Sequence, residues 1–239
     1  MPPYIPPDLP LDLNLTLSPM QTELIARRDL TGLIRLAHQH RPTLKIKELT
    51  DYGVDLINQI AFIAFLIGKK KAAQEVHIRN WTFDDNDLPA LKLNRNRFEN
   101  DFRQVMEDFK TEVYGQPDLN YYLRRIHSVA QMTVWTLYNQ GKLELWNDKI
   151  IRRGLYQAAE APSQLVWAWI TEADDLVCDD CGPLAGVTYN NPMLLVAPPL
   201  HINCRCEIVA LPSKTVLSQQ ESFRELFVEE YALEVPIVG

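Results

Sequence analysis

The sequence predicts an α+β protein: a mainly α-helical N-terminal region, then a small β-containing module, then a terminal helix. Three features lead there. Apolar residues recur at helical spacing between about residues 18 and 160. Two short runs rich in β-forming residues follow, at 165–170 and 207–211. The 16 prolines gather mostly at the N-terminus and in the last third, which rules out one continuous helical bundle.

Residues 1–17 read as an extended arm. Pro2, Pro3, Pro6, Pro7 and Pro10 fix φ near the polyproline value and remove backbone donors, so neither a helix nor a central strand can form. Tyr4, Ile5, Leu9, Leu11, Leu13 and Leu15 make the segment more apolar than a solvated linker. It is either a disordered tail or an arm laid on a partner, its alternating leucines forming one face.

The helical domain is assigned to 18–160. Ser18-Pro-Met-Gln21 is a capping box with Pro19 at the first helical position, opening a helix to about His40. A second helix is expected from about Thr50 through the apolar block 60–67, ending on Lys69-Lys70-Lys71, where cations suit the helix dipole. Phe98, Phe102, Val105, Phe109 and Val113 mark a third, stopped by Gly115 and Pro117. Leu123, Ile126, Ala130, Val134 and Leu137 mark a fourth, ending at Gly141, and a shorter helix at about 148–160 ends at Pro162. Residues 161–212 form the β module, with strands at 165–170 and 207–211. In 213–239, Ser218-Gln-Gln-Glu221 is a second capping box, and Phe223, Leu226, Phe227 and Tyr231 follow as a short amphipathic helix.

Charge narrows the function classes. The chain carries −7 overall, with 24 basic and 31 acidic side chains. A protein devoted to coating DNA would show a basic excess. Only 119–160 is locally basic, with six basic and three acidic residues, so any nucleic-acid contact is local. The N-terminus lacks the basic and apolar regions of a signal peptide. The longest apolar run, 60–67, is far short of the roughly 20 residues of a bilayer span and reads as a buried helix segment. Synthesis in a cytosol is expected.

All four cysteines fall between the two strands, as Cys178-Asp-Asp-Cys181 and His201-Ile-Asn-Cys204-Arg-Cys206. A C-x-x-C turn presents two sulfurs at the bite zinc requires, and imidazole completes the donor type. Five candidates, Cys178, Cys181, His201, Cys204 and Cys206, compete for four places. The first two and Cys204 are assigned, the fourth being Cys206 or His201. Disulfides conflict with a reducing cytosol. A redox C-x-x-C conflicts with Asp179 and Asp180, which oppose thiolate formation between the sulfurs. Unliganded buried thiols are the remaining alternative. The site is read as structural, all places filled by protein, stapling a module whose apolar content is small.

These residues carry a resemblance. Trp167-x-Trp169, then Cys178-x-x-Cys181-x-x-Leu184-x-Gly186, then Pro198-Pro-Leu-His201-Ile-Asn-Cys204-Arg-Cys206 closely resembles the C-terminal signature of the phage Mu F-like head morphogenesis family. It covers about 167–212 and departs at Ile202, where the family usually has proline. The resemblance implies a structural minor head protein of a tailed double-stranded DNA phage, not an enzyme. It implies a place in the virion beside the portal or major capsid protein, acting in head morphogenesis, genome packaging or delivery. Local contact with packaged DNA is compatible with this; a membrane or a small-molecule substrate is not expected. Two other classes stay open: a zinc-stabilised nucleic-acid-binding module with 119–160 as its contact, and a hydrolytic enzyme delivered with the genome.

Other motifs carry less. Arg124-Arg125 and Arg152-Arg153 read as solvated helix faces or as contacts to DNA or an acidic portal surface. Asp84-Asp-Asn-Asp87 lacks the central glycine of a calcium loop and reads as a turn before Pro89. Gly68-Lys69 lacks the preceding glycine of a phosphate-binding loop. His38 and His40 face different directions on a helix, and His77 and His127 are isolated. Trp135, Tyr138 and Trp146 read as core or interface residues rather than base-stacking platforms.

Overall fold

Ser18 closes the capping box: its N–H donates to Gln21 Oε1 at 2.8 Å, and the Gln21 N–H donates to Ser18 Oγ at 3.1 Å. From it runs α1, Pro19–Gln39, followed by α2, Ile46–Glu75, α3, Leu88–Thr111, and α4, Leu119–Leu145. The computed structural model describes residues 17–39, 46–76, 78, 81, 88–111, 118–148, 165–171, 178–192, 197–204 and 206–212. The arm up to residue 16, the turn at 84–87, the helix at about 149–160 and the C-terminal helix beyond 212 lie outside these, as do His40, His77, Arg152 and Arg153. Among the described residues the protein is mainly helical with a small antiparallel sheet, an α+β architecture.

α3 begins at Leu88 and tolerates Pro89 because the first turn needs no N–H there. Two helices, α2 and α4, run past their expected ends, each for a physical reason. α2 does not stop at its lysine run; Lys69 is buried, its Nζ 3.4 Å from Glu144 and 4.9 Å above the Phe65 ring. α4 opens where Asp118 accepts from the Asn120 N–H at 3.0 Å, and passes through Gly141 to Leu145. Gly141 marks a crossing rather than an end. A Cβ there would strike the Phe65 carbonyl of α2, and one on Gly68 would strike the Tyr138 carbonyl of α4. The two helices therefore touch backbone to backbone.

Ile34, Ile57, Phe65, Phe98, Phe102, Phe109, Tyr122 and Ile126 fill the core among the four helices, Phe109 and Tyr122 meeting edge-on at 5.2 Å. Lys47–Glu75 is long and apolar enough to cross a membrane by length and composition. Over half of its most apolar window is buried among the other helices, so core packing accounts for that character.

The sheet comprises β1, Leu165–Ile170, β2, Thr188–Tyr189, and β3, Glu207–Pro212, in the order β2-β1-β3 and antiparallel throughout. The two-residue β2 is too short to read from composition. Period-two alternation divides the sheet. Leu165, Trp167, Trp169, Ile208 and Ala210 face the ends of α2 and α4, packing on Ala72, Ala73, Val76, Leu145 and Trp146. Ala168, Ile170 and Val209 form a separate cluster with the opposite parity.

β3 is an edge strand, and the helices occupy its free donors. The Ile208 N–H donates to Asn139 Oδ1 at 3.4 Å and the Ala210 N–H to Glu75 Oε2 at 3.1 Å. The other oxygen of Glu75 accepts from Lys142 Nζ at 2.6 Å. Lys142 also donates to Glu207 Oε2 at 3.3 Å, which accepts from the Tyr138 hydroxyl at 2.9 Å. Burial alone would lower the Lys142 pKa, but the two carboxylates outweigh it and hold the ammonium above the usual lysine range.

Replacing Gly141 by alanine tests the crossing, because the two governing effects have opposite signs. Helix propensity alone favours alanine by about 1 kcal/mol. The collision with Phe65 instead predicts a loss of about 1–3 kcal/mol in chemical denaturation, the usual cost of overpacking.

Candidate metal centre

Beyond β1 the chain reaches Cys178, where a tight turn sets the first pair of sulfurs. The N–H groups of Cys181 and Gly182 donate to the Cys178 carbonyl at 3.1 and 2.9 Å, and the Cys181 N–H lies 3.4 Å from Cys178 Sγ. A single 3₁₀ turn, Gly182–Leu184, follows with Pro183 in its first positions. Gly186 then takes φ +76°, a conformation glycine adopts without steric cost, and its N–H donates to the Trp169 carbonyl at 2.9 Å. This returns the loop to β1 and starts β2.

The second half of the site arrives through 197–204. Asn203 sits at φ 67°, a left-handed position that asparagine tolerates better than most residues. Its N–H donates to Gln131 Oε1 on α4 at 2.9 Å, and the Cys204 N–H donates to the His201 carbonyl at 3.2 Å. The isoleucine that replaces the resembled family's proline, Ile202, is solvent-exposed.

These two loops bring all five candidates together. Cys178, Cys181 and His201 form one group whose donor atoms lie within 4.8 Å of one another, and Cys181, Cys204 and Cys206 form a second. Cys181 is common to both. Its Sγ is 3.7 Å from Cys204 Sγ and 3.2 Å from His201 Nε2, which lies 2.8 Å from Cys178 Sγ. No pair is oxidised. Two sulfurs bound at about 2.3 Å to one tetrahedral ion stand about 3.8 Å apart, so the Cys181–Cys204 separation matches a shared ion. The cluster can hold a metal ion.

The histidine is already oriented as a ligand. Its Nδ1 lies 2.7 Å from the Ile202 carbonyl, which can only accept, so Nδ1 carries the proton and Nε2 turns its lone pair towards the sulfurs. That same backbone bond, more than any other influence, raises the His201 pKa.

Without a metal the thiols share their charge unequally. The Cys206 thiol, above all, pulls Cys204 down to about 5, while Cys206 itself is driven far up by its bond to Cys204. Burial pushes Cys181 up to about 12. Burial also pushes Cys178 up, but backbone N–H groups of Cys181 and Asp180 outweigh it and leave the thiol below its usual range. One anchored thiolate beside reluctant neighbours is what mutual repulsion imposes on crowded sulfurs, and a divalent cation removes that repulsion.

Residues that sequence reasoning missed hold this geometry from outside. Gln131 fixes the Asn203 turn, Asn139 and Glu75 hold β3 immediately after Cys206, and Lys142 joins the carboxylates. Their signal is visible in retrospect. Gln131, Trp135, Asn139, Lys142 and Trp146 recur every three to four residues along α4, a second buried stripe beside the apolar one. Trp135, Tyr138 and Trp146 are buried, in keeping with their reading as core residues. His127 is not isolated: its Nε2 is hydrogen-bonded to Thr31 Oγ1 at 3.1 Å. Arg125 is paired with Asp108 at 2.5 Å, whereas Arg124 is exposed.

Compared with protein-family models, with curated proteins and with solved structures, the chain finds no match.

Because Cys181 belongs to both groups, Cys181→Ser should abolish metal binding and render 165–212 protease-sensitive. The helical region keeps its own core and should retain its circular dichroism. A variant that kept full protease resistance with no metal bound would show the site to have no structural role. Binding should also strengthen as pH rises, about tenfold per unit for each proton displaced. Cys181, protonated until about 12, must lose its proton to ligate, whereas Cys204, at about 5, has already lost it at neutral pH. Competition against a chromogenic chelator at several pH values reads the slope.

Proposed function

We propose that this chain is a structural minor head protein of a tailed double-stranded DNA phage, and that its cysteine–histidine cluster holds a structural zinc ion. The carrying observation is the cluster itself. The C-x-x-C and the H-x-N-C-R-C, the two halves of the phage Mu F-like signature, lie at opposite ends of a loop and meet in two overlapping groups of donors that share Cys181. Thiolate and imidazole donors in a tetrahedral setting suit zinc. Bound there, zinc supplies charge neutralisation and about 10 kcal/mol of folding free energy.

Five protein donors for four places leave no open position for an activated water, which favours a structural site over the hydrolytic alternative. A helical body carrying a stapled sheet suits an assembly role at the portal or against the major capsid protein, in head morphogenesis, genome packaging or delivery. The protein's place is then the virion, after synthesis in the bacterial cytoplasm.

The test has two parts. Elemental analysis of purified protein should give one zinc per chain, and tagged protein should retain phage portal or major capsid protein at physiological salt. Zinc without either partner would keep the staple and refute the head assignment. No metal at any pH would refute the staple.

A further inference from the structure

The groove between α1 and α4 carries cations that the fold leaves unspent. Glu23 is hydrogen-bonded to Trp135 at 2.7 Å, and Thr31 is hydrogen-bonded to His127 at 3.1 Å. α1 therefore runs antiparallel to α4, and the same register carries Arg35 to the level of 123–124. Arg35 and Arg124, both exposed, thus stand on either side of the groove, with Thr31, His127 and Ser128 between them. Burial above all holds His127 below its usual pKa range, with Arg27 and Arg35 adding to the shift and Glu23 opposing it. Gly32 adds no side chain to the exposed face.

The described carboxylates on this side have partners of their own, although Glu23 also acts on His127. Glu23 binds Arg27 and Trp135, Asp29 binds Arg28 at 2.7 Å, and Asp118 caps α4. None of the ion pairs among the described residues involves Arg35 or Arg124. In a chain of net charge −7, two exposed guanidiniums with no ion pair among the described residues form a local field opposite to the whole. Guanidinium groups hold sugar–phosphate backbones, their planar fork matching phosphate oxygens.

We propose that the α1–α4 groove binds the phosphate backbone of nucleic acid through Arg35 and Arg124, without reading base sequence. The groove stands on the helices alone and is independent of the metal centre and of the phage assignment. It also moves the contact away from much of the basic middle segment: Lys142 is buried in its ion pairs and Arg125 is held by Asp108.

The experiment is fluorescence polarisation of a labelled short DNA duplex with the full chain, from about 50 to about 200 mM salt. The two guanidiniums, each neutralising one phosphate, predict a loss of affinity of about 12-fold across that range. The Arg35→Ala/Arg124→Ala double variant should lose nearly all of that salt effect and bind far more weakly at low salt, with unchanged thermal melting. Arg103→Ala, which removes a cation paired with Asp51 on the α2–α3 side, should leave binding as it was. No binding by the wild-type chain at low salt overturns the proposal, as does equal weakening by Arg103→Ala. Displacement of DNA by polyglutamate at equal charge also overturns it, and assigns the groove to an acidic protein surface.

Discussion

One buried ammonium decides how the two halves of this protein are joined. Lys142 is fully buried, and removing a charge from water costs several kcal/mol unless partners replace the solvent. The partners come from three elements at once: Glu75 of α2, Glu207 of β3, and the face of the Tyr138 ring 5.4 Å away. Glu75 in turn accepts the Ala210 N–H, so the charge that Lys142 requires also occupies a donor on the sheet edge. Neither helix end nor strand can move without stranding a charge or a peptide group. That geometry, together with the apolar cluster of Trp146, Trp167 and Trp169, fixes where the sheet sits.

The cysteine–histidine cluster inherits its position from this arrangement. Cys206 and Glu207 are neighbours in the chain, so the residue that answers Lys142 also sets the last sulfur. Gln131 performs the same service one loop earlier through Asn203. The cluster is thereby held on two sides by α4, while the Cys178 turn is held only by its own hydrogen bonds and its return to β1. The first half of the ligand set is built locally and the second half by docking.

The sequence made the local features legible and left the long-range ones hidden. Capping at Ser18, the apolar spacing of the third and fourth helices, both main strands and all five donors follow from short patterns, and the structure contains them. The misreadings share a cause. Lys69-Lys70-Lys71 and Gly141 look like helix ends because solvated cations and glycine usually are, yet here a lysine is buried against Glu144 and a glycine admits a neighbouring backbone. Both depend on contacts between residues some seventy positions apart, which no local window records. Gln131 and Asn139 were passed over for the same reason, since a polar side chain on a helix looks solvent-facing until its partner is known.

The two buried stripes of α4 limit how this protein can change over time. Fourteen of its 27 residues are buried, some against the helical bundle and others against the sheet. A substitution on this helix disturbs two neighbourhoods simultaneously, so compensation demands coordinated changes in both. α1, with Met20, Leu24 and Leu36 open to solvent, carries far less of that burden. Drift among descendants should accumulate along the outer helix and stall along the central one, leaving α4 as the slowest-changing segment outside the cysteine loops.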